Sequence, residues 1–472
     1  MKVELEYGSQ SWPGELPDGT FVFQPGVTNI EPPPVDARQV TAKALARPLG
    51  TEPIRALVRR GSKVAIAFPD RVKGGTHDLA HRRVALRAVL EELAEAGVND
   101  EDIRFVCAVG LHRKNSRDQM ATYLPSDVLS PWDRRITNHD AEDPDGIVDM
   151  GTSDLGDVVA FNRTCAEADL TIVLGHVQGN PYGGFSGGYK TFTTGLTTWR
   201  SIAGHHTPAT MHRHDFVPIS TRSHFREQLR SIGRRIMEHI CHPIFVIDAV
   251  LGRDAQVLGV YAGAVEEVER ASWPLAELRT NVTLDVEPFD IAVFGLPADF
   301  HYGPGMGRNP ILASQAIAAT IVRIAGVLRP GAVAVVTANF GGFSNKEWFP
   351  SYPETFARWA EACSVAEMTE VVEDISTRET YIDAYRRGAG YHPFHGFSML
   401  SMAEIGLQQT SQIFIVGPAI PGDVRMMGMR PVRSLEEGLK RAEAYLSGRR
   451  RIIALPGFLE TIPPHLFARE VN

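Results

Sequence analysis

Apolar residues in this chain fall into short unbroken runs separated by stretches with helical spacing. Lys63-Val64-Ala65-Ile66-Ala67-Phe68 is one such run, and it ends in a polar loop. A strand buried on both faces of a parallel sheet reads this way, whereas a half-exposed strand alternates. Ile103 to Val109 and Leu170 to Leu174 repeat the pattern in the first half, as do Phe289 to Gly295, Val333 to Val336 and Ile413 to Val416 in the second. Arg451 to Pro456 reads as a final strand. Between the first two runs, Leu79, Val84, Leu86, Val89, Leu90 and Leu93 recur at helical intervals, with Thr76 as the expected cap and Gly97 as the stop. Helices are also expected from about Asn309 to Leu328 and over 434–447. The alternation predicts an α/β protein with two α/β lobes, largely parallel sheets and a cofactor and substrate cleft between them. The expected division is 1–285 and 286–472, with the first 35 residues, closed by Pro32-Pro33-Pro34, as an edge or flap.

Strand ends are where such a fold carries its chemistry, because ligands of open α/β sheets bind outside the carboxyl ends of the strands. The first strand delivers Asp70, Arg71 and Lys73, the second delivers His112, and the third delivers His176 and a glycine-rich loop, Gly183-Gly184-Phe185-Ser186-Gly187-Gly188-Tyr189-Lys190. Glycines in such a loop let backbone amides close around an anion. A Walker A loop fits badly, since it needs its lysine directly after the last glycine and Tyr189 separates Gly188 from Lys190. The dinucleotide-binding βαβ order is missing too.

The 472 residues carry 48 basic and 56 acidic side chains, a formal charge of −8, so no nucleic-acid footprint exists. Without an apolar leader or a long apolar run, no membrane association is expected and the protein reads as cytoplasmic. Cys107, Cys165, Cys241 and Cys363 have no CxxC spacing and read mostly as buried apolar residues. His212 and His214 lack the spacing of a helical zinc site. Only one of the adjacent His205 and His206 can face a given ligand.

Gly184 to Lys190, then Gly195 and His206, resembles the signature of the nickel-pincer lactate racemase family. Val109-Gly110-Leu111-His112-Arg113 resembles that family's Gly-x-His-Arg segment, and Asp70-Arg71-Val72-Lys73 its Asp-x-x-Arg stretch, with lysine for the usual arginine. The resemblance implies a covalent nickel-pincer nucleotide, a pyridinium thioamide/thiocarboxylate mononucleotide, on Lys190, with nickel completed by His206. It implies His112 as acid/base, and Asp70, Gly184, Ser186, Gly187 and Gly188 around the cofactor. Two departures stand out. Asn180 occupies the place of the family's second catalytic histidine, and an amide is no base near neutral pH; His176 or Tyr182 are the alternatives from nearby. The family's Tyr-Gln-x-x-Lys segment is replaced by Phe300-His301-Tyr302-Gly303-Pro304-Gly305-Met306-Gly307-Arg308, so Lys73 or Arg308 is expected to hold a carboxylate. The implied activity is racemisation or epimerisation of a 2-hydroxy acid other than lactate by proton-coupled hydride transfer. Its expected partners are that acid and the cofactor maturation enzymes, and a homo-oligomer is left open. A nickel-independent enzyme gripping a phosphate through the 183–190 loop, or a non-catalytic cofactor-binding relative, are the alternatives.

Overall fold

The computed structural model describes the chain except residues 73, 132, 217–220, 300–304, 389 and 470–472. The structure is α/β with two main sheets. The first is six-stranded, in the order Val257–Ala264, Ile244–Leu251, Leu170–Val177, Val64–Pro69, Ile103–Ala108, Ile136–Asn138. Every pairing is parallel except the edge pair Ile244–Leu251 and Val257–Ala264. Val64–Pro69 and Leu170–Val177 are buried along their whole length, which is why they read as continuous apolar runs. The expected helix runs over His81–Glu95 and starts after Ala80 without a side-chain cap. Thr76 lies outside it and Leu79 is exposed, so an isolated apolar residue extended the apparent period too far.

The second sheet has eight strands, with Phe289–Pro297 at its centre beside Leu328–Thr337 and Ile452–Leu455, and with Gln412–Val416 on the far side of Leu328–Thr337. Lys2–Gly8 pairs parallel with Phe289–Pro297, and Gln10–Glu15 forms the antiparallel edge. The N-terminal strands are thus an edge as expected, but an edge of the C-terminal sheet rather than of residues up to 285. The chain end crosses back as well. Ile452–Leu455 is followed by a further strand, His465–Ala468, which pairs with Asn281–Leu284. Two of the cysteines, Cys107 and Cys165, are core residues, whereas Cys241 and Cys363 are exposed.

Helices Pro310–Ile324 and Phe394–Gln409 are buried over most of their surfaces and pack on each other. A helix apolar on all sides needs such a covered position. Asn309 caps the first through its side-chain oxygen, which accepts from the amides of Ile311 and Leu312, and Pro310 takes the first-turn position that needs no N–H donor. The second also packs on Trp199–His205 and Pro208–Met211 from the other half of the chain, so one core runs through both lobes. The two long helices meet where Gly406 faces Ala318: a Cβ on Gly406 would lie 2.8 Å from the Cα and Cβ of Ala318. Gly406→Val is therefore expected to destabilise the protein by about 1–3 kcal/mol through overpacking. Chemical denaturation measures this, and an unchanged unfolding midpoint would contradict the close contact.

Candidate functional site

One cavity of about 770 Å³ lies at the carboxyl ends of the strands and takes its lining from both lobes. That volume suits a small-molecule or cofactor site. Asp70, Arg71, His112, His176, Asn180, Ser186, Gly187, Lys190 and His206 all line it, so three strand-end loops and the later histidine converge as their positions in the fold require.

Asp70 sits just past Val64–Pro69. One carboxylate oxygen accepts from the Val72 amide, and the other lies 2.7 Å from Nδ1 of His112. A carboxylate on Nδ1 fixes the ring and places the Nε2 lone pair on the opposite side, as in acid/base pairs generally. Asp70 thus pairs with His112 rather than with Arg71. The loop carrying His112 turns at Gly110, whose φ is 55°. A Cβ there would stand 2.5 Å from the Thr194 carbonyl, and the Gly110 amide donates to Gly195. Only glycine permits this approach, and it pins the His112 loop to the end of the helix Tyr189–Gly195, which begins beside Lys190.

The glycine loop has its own anchors. The Gly188 amide donates to the buried carboxylate of Asp248 at 2.6 Å, and the Tyr189 amide to that of Glu269 at 3.1 Å. The Ser186 amide donates to Gln178, the Lys190 amide to Gly187, and the Ser186 hydroxyl to the His176 carbonyl. These donors are spent inside the protein, which corrects the expectation of an amide cradle for phosphate. Ser186 and Gly187 reach the cavity, whereas Gly184 and Gly188 do not line it. Gly187 is instead required by packing, since a Cβ would meet Asp248 at 2.6 Å.

Lys190 is buried, its ammonium 4.9 Å from the Phe225 ring centre and 5.3 Å from that of Tyr182. Tyr182 stacks on His206 at 5.4 Å between ring centres. His206 lines the cavity; His205 is fully buried and does not. Their Nδ1 atoms are 2.6 Å apart, so His205 orients the His206 ring from behind. Burial, reinforced by the Lys190 charge, pushes the His205 imidazole down to about 3 and keeps it neutral.

Other expected residues fall elsewhere. Asn180 lines the cavity, but its side-chain oxygen accepts from the Tyr182 amide at 2.9 Å, a turn-forming role. Arg308 is exposed, lies beside Gly342 and is not among the lining residues. Lys73 and the 300–304 segment lie outside the described residues. Arg113 stacks on Trp348 at 3.8 Å and Lys114 reaches Asp140 and the His139 carbonyl, so neither serves the cavity as an anion-attracting group. His212 Nε2 donates to the Ser401 carbonyl at 2.8 Å and lies 3.6 Å from the Glu404 carboxylate, both structural contacts away from the cavity lining.

Sequence reasoning missed the second lobe's share. Arg323, Gln315 and Ala319 line the cavity from one face of helix Pro310–Ile324, and His395 and Ser398 from helix Phe394–Gln409. Arg323 donates to the Ala319 carbonyl, and its buried Nε has no hydrogen-bond partner among the described residues. Burial, with Arg279 nearby, brings its guanidinium down to about 10, so it stays a cation at neutral pH. The i, i+4, i+8 spacing of Gln315, Ala319 and Arg323 was readable as one helical face, but not which face met the cavity.

Residues 7–216 match the family described as the lactate racemase N-terminal domain. Lactate racemase from Lactiplantibacillus plantarum is 23% identical over 338 residues, 69% of this chain and 75% of that protein. The lactate racemase of Thermoanaerobacterium thermosaccharolyticum is 23% identical over 208 residues, 43% of this chain and 46% of that protein. The apoprotein structure of the lactate racemase from that organism shares the fold along the whole of both chains, with a TM-score of 0.70 at 18% identity. A Thermotoga maritima crystal structure matches less closely, with a TM-score of 0.55 at 14% identity over 92% of this chain and 97% of that one. Within the matched residues 7–216 lie Asp70, His112, Lys190 and His206, whereas Arg323 and His395 lie beyond them. No helix among the described residues is long and apolar enough to cross a membrane.

Asp248 offers a test of the loop anchor. Burial raises its carboxyl from 3.8 to about 7. A group whose folded-state value is raised binds its proton more tightly folded than unfolded, so its contribution is full below 3.8 and lost as pH rises through 7. Asp248→Asn keeps an oxygen for the Gly188 amide and removes the titration. The thermal midpoint of the wild type should fall relative to that of Asp248→Asn across this window; parallel profiles would contradict the assignment.

Proposed function

We propose that this protein is a racemase or epimerase of a 2-hydroxy acid larger than or different from lactate, working with a nickel-pincer nucleotide held on Lys190. The observation that carries the reading is the convergence of Lys190, His206 and the Asp70–His112 pair on one cavity, in a chain whose residues 7–216 match the lactate racemase N-terminal domain family. Among the described residues no group of three or more His, Cys, Asp or Glu side chains could hold a metal by itself. A single imidazole beside a buried lysine amine fits a metal whose remaining ligands come from an organic group attached to that amine, and nitrogen with sulfur donors suits nickel. Lys190 would hold the group covalently and His206 would supply the protein's nickel ligand, oriented by His205. When bound, the pyridinium ring of such a group supplies a hydride acceptor and donor, which avoids deprotonating a carbon next to a carboxylate.

The chain's own residues do the rest. Nε2 of His112 takes the proton of the substrate hydroxyl, and Asp70 stabilises the imidazolium that forms. Arg323, a half-buried cation whose buried Nε has no hydrogen-bond partner among the described residues, holds the substrate carboxylate, the role expected of Lys73 or Arg308. Gln315 and Ser398 offer further polar contacts at the cavity wall, which suits an acid with additional hydroxyl groups. Leu111, Ile202 and Met399 close the wall with apolar surface. The loop amides that a phosphate-binding enzyme would need are spent on Asp248, Glu269, Gln178 and Gly187, which disfavours the nickel-independent alternative.

Co-production with cofactor-making enzymes, followed by intact-mass and metal analysis, tests the assignment. Wild type should carry a mononucleotide-sized adduct and nickel, and Lys190→Ala neither. An unmodified, nickel-free wild type beside a lactate racemase loaded in parallel would overturn it. In the loaded enzyme Arg323→Leu should raise KM for the turned-over acid by about 10–100-fold, the value of a charge-assisted hydrogen bond; steady-state kinetics with an unchanged KM would remove Arg323 from the carboxylate site.

A further inference from the structure

The amide at Asn180 leaves the N-terminal lobe with one oriented histidine where a racemase needs proton transfer for both stereoisomers. His395, from helix Phe394–Gln409 of the other lobe, lines the same cavity. Its ring stands edge-on to that of His112, with centres 5.5 Å apart. Nδ1 of His395 lies 2.7 Å from the hydroxyl of Tyr352, a fully buried tyrosine, just as Nδ1 of His112 lies 2.7 Å from Asp70. Each ring is thus held through Nδ1 from behind. Tyr391 packs on both, 5.6 Å from His112 and 4.8 Å from His395.

We infer that His395 is the second proton carrier of this site, forming with His112 one acid/base pair that bridges the lobes. The chemistry assigned to the pair rests on the racemase reading; the pairing does not. With Nδ1 of His395 on the Tyr352 hydroxyl and Nδ1 of His112 on Asp70, the Nε2 of each ring is the atom turned away from that partner. In one turn the substrate O–H bond breaks and its proton passes to Nε2 of neutral His112. On return the substrate oxygen takes a proton from Nε2 of His395 in its imidazolium form, which becomes neutral imidazole. Proton passage from the His112 imidazolium to His395 then restores both. When bound, the pyridinium ring would supply the hydride acceptor and donor for the Cα–H bond. His176 and Tyr182 also line the cavity, but Tyr182 stacks on His206 and, among the described residues, neither ring has a contact with His112 like that of His395.

The ionisable groups packed on the pair are Asp70, Tyr352 and Tyr391, with Arg71 and Arg113 behind them on Trp348. The test begins with the chain lacking cofactor. Diethyl pyrocarbonate labels neutral imidazoles, and mass spectrometry follows each histidine as a function of pH in wild type, His112→Gln, His395→Gln and Tyr352→Phe. His395 should react, its midpoint should rise in His112→Gln because a neighbouring imidazolium no longer repels its proton, and the reverse should hold for His112. Tyr352→Phe should move the His395 midpoint with the fold retained by circular dichroism. An unreactive His395, or midpoints indifferent to the partner, overturns the pair. In the loaded enzyme His395→Gln should lower kcat by about 10²–10⁴-fold with a smaller change in KM and lose one limb of the pH–rate profile; wild-type kcat and profile would overturn the role. Coupled histidines in a loaded wild type that turns over no 2-hydroxy acid would sink the racemase reading while upholding the pair.

Discussion

The site depends on how a loop of many glycines is held still. Such a loop loses more conformational entropy on ordering than an ordinary one, and its amides need acceptors wherever water is excluded. Asp248, from the strand Ile244–Leu251, and Glu269, from the helix Val265–Thr280, take the Gly188 and Tyr189 amides. Arg226, fully buried, donates to the Phe185 carbonyl and lies 3.8 Å from Glu269. Burial raises both carboxyls and lowers the guanidinium, as expected when charges leave water. A network of this kind contributes less to stability than to geometry, because the cost of desolvation offsets much of its attraction. What it gains is a fixed first turn for the helix Tyr189–Gly195, and hence a fixed Lys190.

From that turn the constraint spreads through close backbone contacts. Gly195 meets Ala108 and Gly110 meets Thr194, so the His112 loop cannot shift without the helix that carries Lys190. The second lobe is tied to the same frame by helix Phe394–Gln409, which packs on Trp199–His205, the helix that ends just before His206. Gly406 lets that helix and Pro310–Ile324 approach closely, so Arg323 and His395 are placed by one helix pair. Lys190, His206, His112 and Arg323 therefore share a rigid support, which is what positioning to within a fraction of an ångström requires.

The parts legible in the sequence were those written locally. Buried parallel strands announced themselves as apolar runs, and their ends located Asp70, His112 and the glycine loop. Pairing between distant segments was not legible: nothing in Lys2–Gly8 says that it joins Phe289–Pro297, and nothing in His465–Ala468 says that it returns to Asn281–Leu284. The same limit hid His395, which meets His112 only through the packing of the lobes. The glycine loop was misread for a different reason. Glycine spacing reports that the backbone bends tightly and comes close to something, but the identity of that something lies in Asp248 and Glu269, far along the chain.

This distinction bears on how the site came to differ from a two-histidine arrangement within one lobe. Asn180 is bound to its own turn through the Tyr182 amide, so the position does structural work that a histidine side chain would do less well. Tyr182, placed by that turn, stacks on His206 and lies under the Lys190 ammonium. The N-terminal lobe thus spends this position on shaping the cavity wall beside Lys190. On the proposed chemistry, proton handling in that lobe falls to His112, and a second proton carrier would come from an element that closes over the cavity from the opposite lobe. Such a residue faces His112 only when the lobes are packed together, because Tyr352 and His395 sit on one side of the junction and Asp70 and His112 on the other. Acid/base competence would then be a property of the assembled lobes, whereas cofactor attachment would need only the N-terminal one.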